Sequence, residues 1–152
     1  IEQKLFSQYN GSMSVTLPWL HVGACLFMTG VIWIVQWVHY PSFAFVSQEQ
    51  FFAFNQFHQK AITHIVAPMM VFELFSGLYL AYSAQWSPVH LVLLALIGLI
   101  WASTFFLSVP LHSLLIEKGF DLDVIQKLVA TNWPRTILWS VRSMILLFLV
   151  KL

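Results

Sequence analysis

Six histidines, one glutamate and one arginine carry the chemistry that this sequence could perform. The histidines are His21, His39, His58, His64, His90 and His112. His39 stands in Gln36-Trp37-Val38-His39-Tyr40-Pro41, at the mouth of an apolar stretch, where an imidazole beside Gln, Trp and Tyr makes a poor lipid-facing residue and calls for partners. His21 and His39 are 18 residues apart. That is five whole helical turns, so on one helix they share a face about 27 Å apart. Two imidazoles at matching depth on different helices suit axial ligation of a haem; His21 and His90, each near the start of an apolar stretch, form that pair. Three or four imidazoles gathered at one end suit copper, zinc or non-haem iron, for which neutral imidazole is a common ligand. His39, His58, His64 and His112 are the candidates. The competing reading makes most of the six interfacial or structural.

Glu73 and Arg142 are the sharper anomaly. Each falls in the middle of an apolar run, Glu73 about 14 Å beyond His64 and Arg142 about 10 Å beyond Arg135 along their helices. A lone charge at the centre of a bilayer costs at least ~2.5–3.5 kcal/mol. Pairing removes most of that cost, so Glu73 and Arg142 are expected to meet. Such a pair is either a structural ion pair, a proton or anion site, a partner for a haem propionate, or part of a subunit interface. Arg135 and Arg142 are seven apart with Trp139 between them, which puts all three on one helix face turned inward or toward a partner.

The elements that must hold these residues follow from composition. The chain of 152 residues is 59% hydrophobic and 9% charged, against roughly a quarter charged in soluble domains. That defines an integral membrane protein of one domain, 1–152. Its net charge of +1 leaves no nucleic-acid footprint. The single cysteine, Cys25, excludes an intrachain disulfide. Spans of ~20 apolar residues are expected at about 17–40, 62–84, 89–109 and 136–152. In hydrocarbon every backbone polar group must be satisfied internally, so the fold expected is all-α, an antiparallel four-helix bundle. Pro41 is expected to stop the first helix. The Phe-rich, Gln- and Asn-containing stretch 42–60 reads as an amphipathic segment lying in the interface. Gln85-Trp86-Ser87-Pro88 reads as a tight turn, and Asp121 as the cap of a short helix ending about Ala130. Pro68, Met69 and Met70 read as a bend in the second span. Most tryptophans read as an interfacial belt. The first apolar stretch is a retained helix rather than a signal peptide, and the Ile1 start points to a true N-terminus upstream or to a fragment.

With both termini on one side, the 41–60 and 110–134 segments share the other. That second side holds Lys60, Lys118, Lys127 and Arg135, against Lys4 and Lys151 on the first. The positive-inside rule then places loops 41–60 and 110–134 in the cytoplasm and the termini in the periplasm of a bacterial inner membrane.

Several short motifs carry a resemblance. Leu20-His21 opens the first span, and Gly30 precedes Val31-Ile32-Trp33-Ile34-Val35. Ala67-Pro68-Met69-Met70 lies in the second, Val89-His90-Leu91 opens the third, and Thr131-Asn132-Trp133-Pro134 precedes the fourth. From Leu20 onward the chain resembles the four-helix membrane proteins grouped with the copper-resistance D family and the bacterial haem-associated protoporphyrinogen oxidases. That resemblance implies a haem ligand at His21. Two positions depart from it. The oxidases have arginine where this chain has Gln36 and lysine where it has Val92, which argues against porphyrinogen oxidation here. The Gln36–Pro41 motif and Asn132-Trp133-Pro134-Arg135-Thr136 are also similar to bacterial inner-membrane proteins whose family membership implies no activity.

The leading expectation is a membrane protein binding a redox centre, foremost haem b at His21 and His90. It would transfer electrons to or from quinone or a partner. A second centre of copper, zinc or non-haem iron would use the other histidines. The alternative is a non-catalytic accessory subunit of a larger membrane complex or homo-oligomer, without a cofactor. A third reading is a small proton-coupled transporter working through Glu73 and Arg142. Whether the protein is an enzyme is left open by the residues.

Overall fold

A computed structural model describes the backbone of residues 2–150 and the side chains of residues 16–149. The described residues are helical, joined by short turns, with no strand among them. Helix α1 (Glu2–Ile34) runs on through a π turn (Val35–His39), one more α turn (Tyr40–Ser42) and a 3-10 turn (Phe43–Phe45). Helix α2 (Gln48–Ser83) follows. Helix α3 (Pro88–Ser103) passes through a second π turn (Thr104–Ser108) into α4 (Val109–Lys118). Helix α5 (Leu122–Val150) is the last. Four rods result, and three of them, Thr16–Phe45, Gln48–Ser83 and Pro88–Lys118, are long and apolar enough to cross a membrane. Lys4 and Lys151, which the charge comparison sets on the side of the termini, lie outside the described side chains.

The rods pack in a ring, α1 against α2 and α5, and α3 against the same two. His21 of α1 meets Ser76 near the end of α2, and His39, in the π turn that follows α1, meets His58 in the first third of α2. Cys25, Met28, Ile32, Met70, Ile97, Ile100 and Trp139 fill the centre. Gly77 lets α2 approach closely. A Cβ there would meet Ile97 Cδ1 at 2.9 Å and His21 Cε1 at 3.4 Å.

Three expectations from sequence need correcting. The segment 42–60 is not a separate interfacial helix, because from Gln48 onward it is the first third of α2. A helix of 36 residues is about 54 Å long, longer than the ~30 Å that a hydrocarbon layer spans, and its Phe-rich start lies at one end of the rods. There Phe51, Asn55 and His58, at helical spacing, are buried in a cap with Phe43, Leu115, Val124, Ile125 and Leu128, while Phe52 and Phe57 face outward. Nor does Pro41 stop the first rod. Proline lacks an N–H and crowds the carbonyl four residues back, and the rod answers by widening. Tyr40 N–H bonds Val35 O, five residues back, just before Pro41. Val109 N–H bonds Thr104 O in the same way, just before Pro110. Finally, Asp121 does cap a helix, accepting from Asp123 N at 3.0 Å and Val124 N at 3.2 Å, but that helix is α5, which runs through Pro134 to Val150. Gly119, at φ +75°, turns the chain between α4 and α5.

Two buried polar centres and a cavity

The inward face of α5 repeats polar residues at Asn132, Arg135, Thr136, Trp139, Arg142 and Ser143, all buried. Spacings of three and four place them on one stripe, and the stripe divides into two centres around its two arginines.

The first centre surrounds Arg142. Its Nη1 donates to Glu73 Oε1 and to Cys25 Sγ at 3.2 Å. Its Nη2 donates to His21 Nε2 at 2.7 Å. Trp139 Nε1 donates to the second glutamate oxygen, Oε2, at 3.1 Å. Since a guanidinium only donates, His21 Nε2 must accept. The ring proton therefore sits on Nδ1 and is donated to Ser76 Oγ at 2.6 Å, whose own hydrogen goes to Phe72 O at 2.5 Å. Ser143 extends the network, 3.3 Å from Cys25 Sγ and 2.7 Å from Thr29 Oγ1. The two charges thus meet and are oriented within the buried interior.

His90 lies near this centre without joining it. Its Nδ1 pairs with Ser87 Oγ at 2.7 Å, at the residue that precedes α3. His21 and His90 line a common cavity of about 30 Å³, room for a water rather than a porphyrin. With both His21 nitrogens held by protein groups, the pair as arranged does not fit axial haem ligation.

The second centre surrounds Arg135, at the other end of the rods. Its Nη2 donates to Tyr40 Oη at 3.1 Å and to Asn132 Oδ1. Asn132 Nδ2 donates to Gln36 Oε1 at 2.9 Å, and Gln36 Nε2 donates to Val129 O at 3.2 Å. Tyr40 Oη lies 3.0 Å from His112 Nε2, and Gln59 Nε2 donates to His112 O at 3.1 Å. The ion pairs among the described residues are Arg142 with Glu73 and Lys118 with Asp121. Arg135, 6% exposed, therefore has no carboxylate among them.

Arg135, Tyr40 and His112 form the polar end of a cavity of about 240 Å³. Apart from Thr63, Thr104 and Ser108, the rest of its wall is apolar or aromatic, including Met28, Val66, Met70, Trp101, Phe105 and Trp139. Three wall residues each keep a buried polar atom without a protein partner: Arg135 Nε, Ser108 Oγ and His112 Nδ1. Beyond them, His39 Nε2 lies 2.5 Å from His58 Nδ1, and the His58 and His112 ring centroids are 5.4 Å apart. His64 stands apart, exposed, its Nδ1 on Lys60 O at 2.6 Å. The structure therefore gathers His39, His58 and His112 and leaves His64 out. Among the described residues no three His, Cys, Asp or Glu side chains are arranged to hold a metal ion.

Sequence reasoning passed over Tyr40, Ser108, Asn132 and Gln36 as site residues. A usable signal existed for Asn132, which shares the polar stripe of α5. Ser108 carried none, since one hydroxyl in an apolar helix commonly bonds its own backbone.

In comparisons with known proteins, the chain matches no family model, no curated protein and no solved structure.

Proposed function

We propose that the chain is an integral membrane protein, an antiparallel bundle of four helical rods, that binds a quinone-type ring compound from the lipid phase. The single observation carrying this reading is Arg135, a buried cation with no carboxylate among the described residues, at the polar end of a largely apolar cavity. An isolated buried charge is costly, and a ligand oxygen is the natural complement. The unpartnered donor groups there call for a ligand that accepts hydrogen bonds, as a quinone carbonyl does. The aromatic and methionine walls suit a flat ring. A dry cavity of ~150 Å³ holds benzene, so one of about 240 Å³ has room for a single substituted ring with its tail outside. The protein's part in electron transfer would then lie in holding the quinone, with its oxygen toward Arg135 and its ring away from water.

The test is a titration of the purified protein with a short-tailed benzoquinone, read as quenching of tryptophan fluorescence, since Trp101 and Trp139 line the cavity. Saturable quenching is expected. It should weaken at least tenfold, about 1.4 kcal/mol, in Arg135→Gln. Ala67→Phe, which fills the cavity without touching its polar end, should weaken it as well. Quenching that does not saturate, or that both variants leave unchanged, would overturn the reading.

A further inference from the structure

The wall of the cavity beside Arg135 falls into two parts. Tyr40, Ser108 and Arg135, all buried, form the inner polar part. Four other wall residues are also exposed on the outside of the rods. These are Thr63 and Ala67 on α2, Phe105 in the π turn after α3, and Val109 at the start of α4. A residue that both lines a cavity and is exposed marks its mouth. α2 and α3 are in close contact at Gly77. About 15 Å along α2 from there stands Ala67, too small to cover the opening. The threonines beside the mouth do not make it a donor site. Thr63 Oγ1 donates to Gln59 O at 2.6 Å and Thr104 Oγ1 to Ile100 O at 2.9 Å, so each hydroxyl hydrogen is spent on its own helix. Trp101 and Phe105, with ring centroids 5.4 Å apart, form the aromatic side. The cavity is closed on the α1 side of α2. A groove of about 280 Å³ lies there, lined by Ile34, Phe57 and Ile65 among others, and shares Val31, Val35 and Ile62 with the cavity. None of these three is exposed, so they form a partition rather than an opening.

We propose that this mouth is a lateral entrance from the lipid, and that a bound ligand keeps a hydrocarbon tail in it, over Ala67 and Phe105. The entrance rests on the ring-binding reading above and narrows the ligand to a quinone bearing one alkyl or isoprenoid tail. The reason lies in the order of the wall. The polar head of such a molecule finds donors only at the inner part, where Arg135 Nε and Ser108 Oγ are unpartnered. Its tail passes an opening whose threonine hydrogens are already spent and which gives onto an apolar outer face, where Phe106 and Leu107 are also exposed. Apolar groups are stabilised by leaving water, so hydrocarbon outside the mouth favours a tail there, and a tailless ring gains nothing from it. The same order sets the ring's orientation. A quinone with a single tail has one carbonyl next to the tail-bearing carbon and one farther from it. With the tail in the mouth, the farther carbonyl is the one directed at Arg135, and the nearer one stays toward the opening.

The test uses the unaltered full chain in lipid nanodiscs and two benzoquinones. One is the short-tailed compound of the fluorescence titration. The other carries a single alkyl tail with a diazirine a few carbons from the ring. Irradiation expels nitrogen and inserts that tail carbon into whatever lies beside it, and peptide mass spectrometry reads the labelled residues. Labels that the short-tailed compound removes belong to the site; the rest are lipid-phase background. At about ten times its Kd the competitor should cut the site labels about tenfold. Competed labels are expected at Thr63, Ala67, Phe105 and Val109. Competed labels on Ile34, Phe57 or Ile65 of the groove instead, or none at the mouth while quenching saturates, would overturn the entrance and leave the ring-binding reading standing. Absence of saturable quenching by the short-tailed compound would remove that reading and the entrance together.

Discussion

The two buried arginines are answered differently, and the difference separates a structural centre from a candidate binding one. Arg142 is fully buried and is met by a carboxylate, an imidazole nitrogen and a thiol. Removing one member of such a pair leaves an uncompensated buried charge, at a cost of about 3–5 kcal/mol. Glu73→Gln is therefore expected to lower stability by that amount in chemical unfolding followed by circular dichroism. Removing both charges in Glu73→Leu with Arg142→Met should return part of the loss, since no charge is then left alone. It should return only part, because His21 Nε2 and Trp139 Nε1 lose their partners. A strictly additive double-mutant cycle would show that the two charges do not stabilise one another. The meeting of these two residues was legible in the sequence because the cost of an unpaired charge does not depend on the fold. The partners His21, Cys25 and Ser76 were not, because nothing in their spacing relates α1 to α2.

At the scale of elements, two devices place the second centre. One is the pair of π turns ahead of Pro41 and Pro110, which set His39, Tyr40 and Ser108 at their angles to the cavity. In Pro41→Ala the restored N–H permits an ordinary α turn, which would swing Tyr40 by about 100° around the rod. Helix content should hold or rise in circular dichroism while saturable benzoquinone quenching weakens; unchanged quenching would show that the π turn does not position Tyr40. The other device is Gly119, at φ +75° and ψ −145°, a backbone region open essentially to glycine alone. Gly119→Ala meets no neighbouring atom, so its cost is backbone strain alone, about 1–3 kcal/mol, read as a lowered unfolding midpoint. Helix periods and capping residues were readable beforehand. The course of the chain past its prolines was not, because a proline ends a helix or bends it according to the packing on either side.

For the whole molecule, three rods are long and apolar enough to cross a membrane, and the proposed membrane course of the chain can be tested at its ends. In an intact membrane, cysteines placed at Trp86 and at Glu117, each exposed, are expected to react with an impermeant thiol reagent from opposite sides. The position-117 side should be cytoplasmic by the distribution of lysines. Cys25 is fully buried and should stay unreactive. Labelling of both positions from one side would disprove the alternating course of the rods.

The amino-acid sequence by itself determined the class of element, helix throughout the described residues; of the four apolar spans it led one to expect, three are long and apolar enough to cross a membrane. It also determined which charges could not stand alone, because hydropathy and the cost of burying a charge are local quantities. It listed the imidazoles without saying which of them would meet. Only the tertiary structure decided that His21 spends both nitrogens on Ser76 and Arg142, that His39, His58 and His112 converge while His64 does not, and that Arg135 heads a cavity with no carboxylate to answer it. Those outcomes depend on how four rods rotate about their axes, and that rotation is set by side chains filling space between elements far apart in the chain.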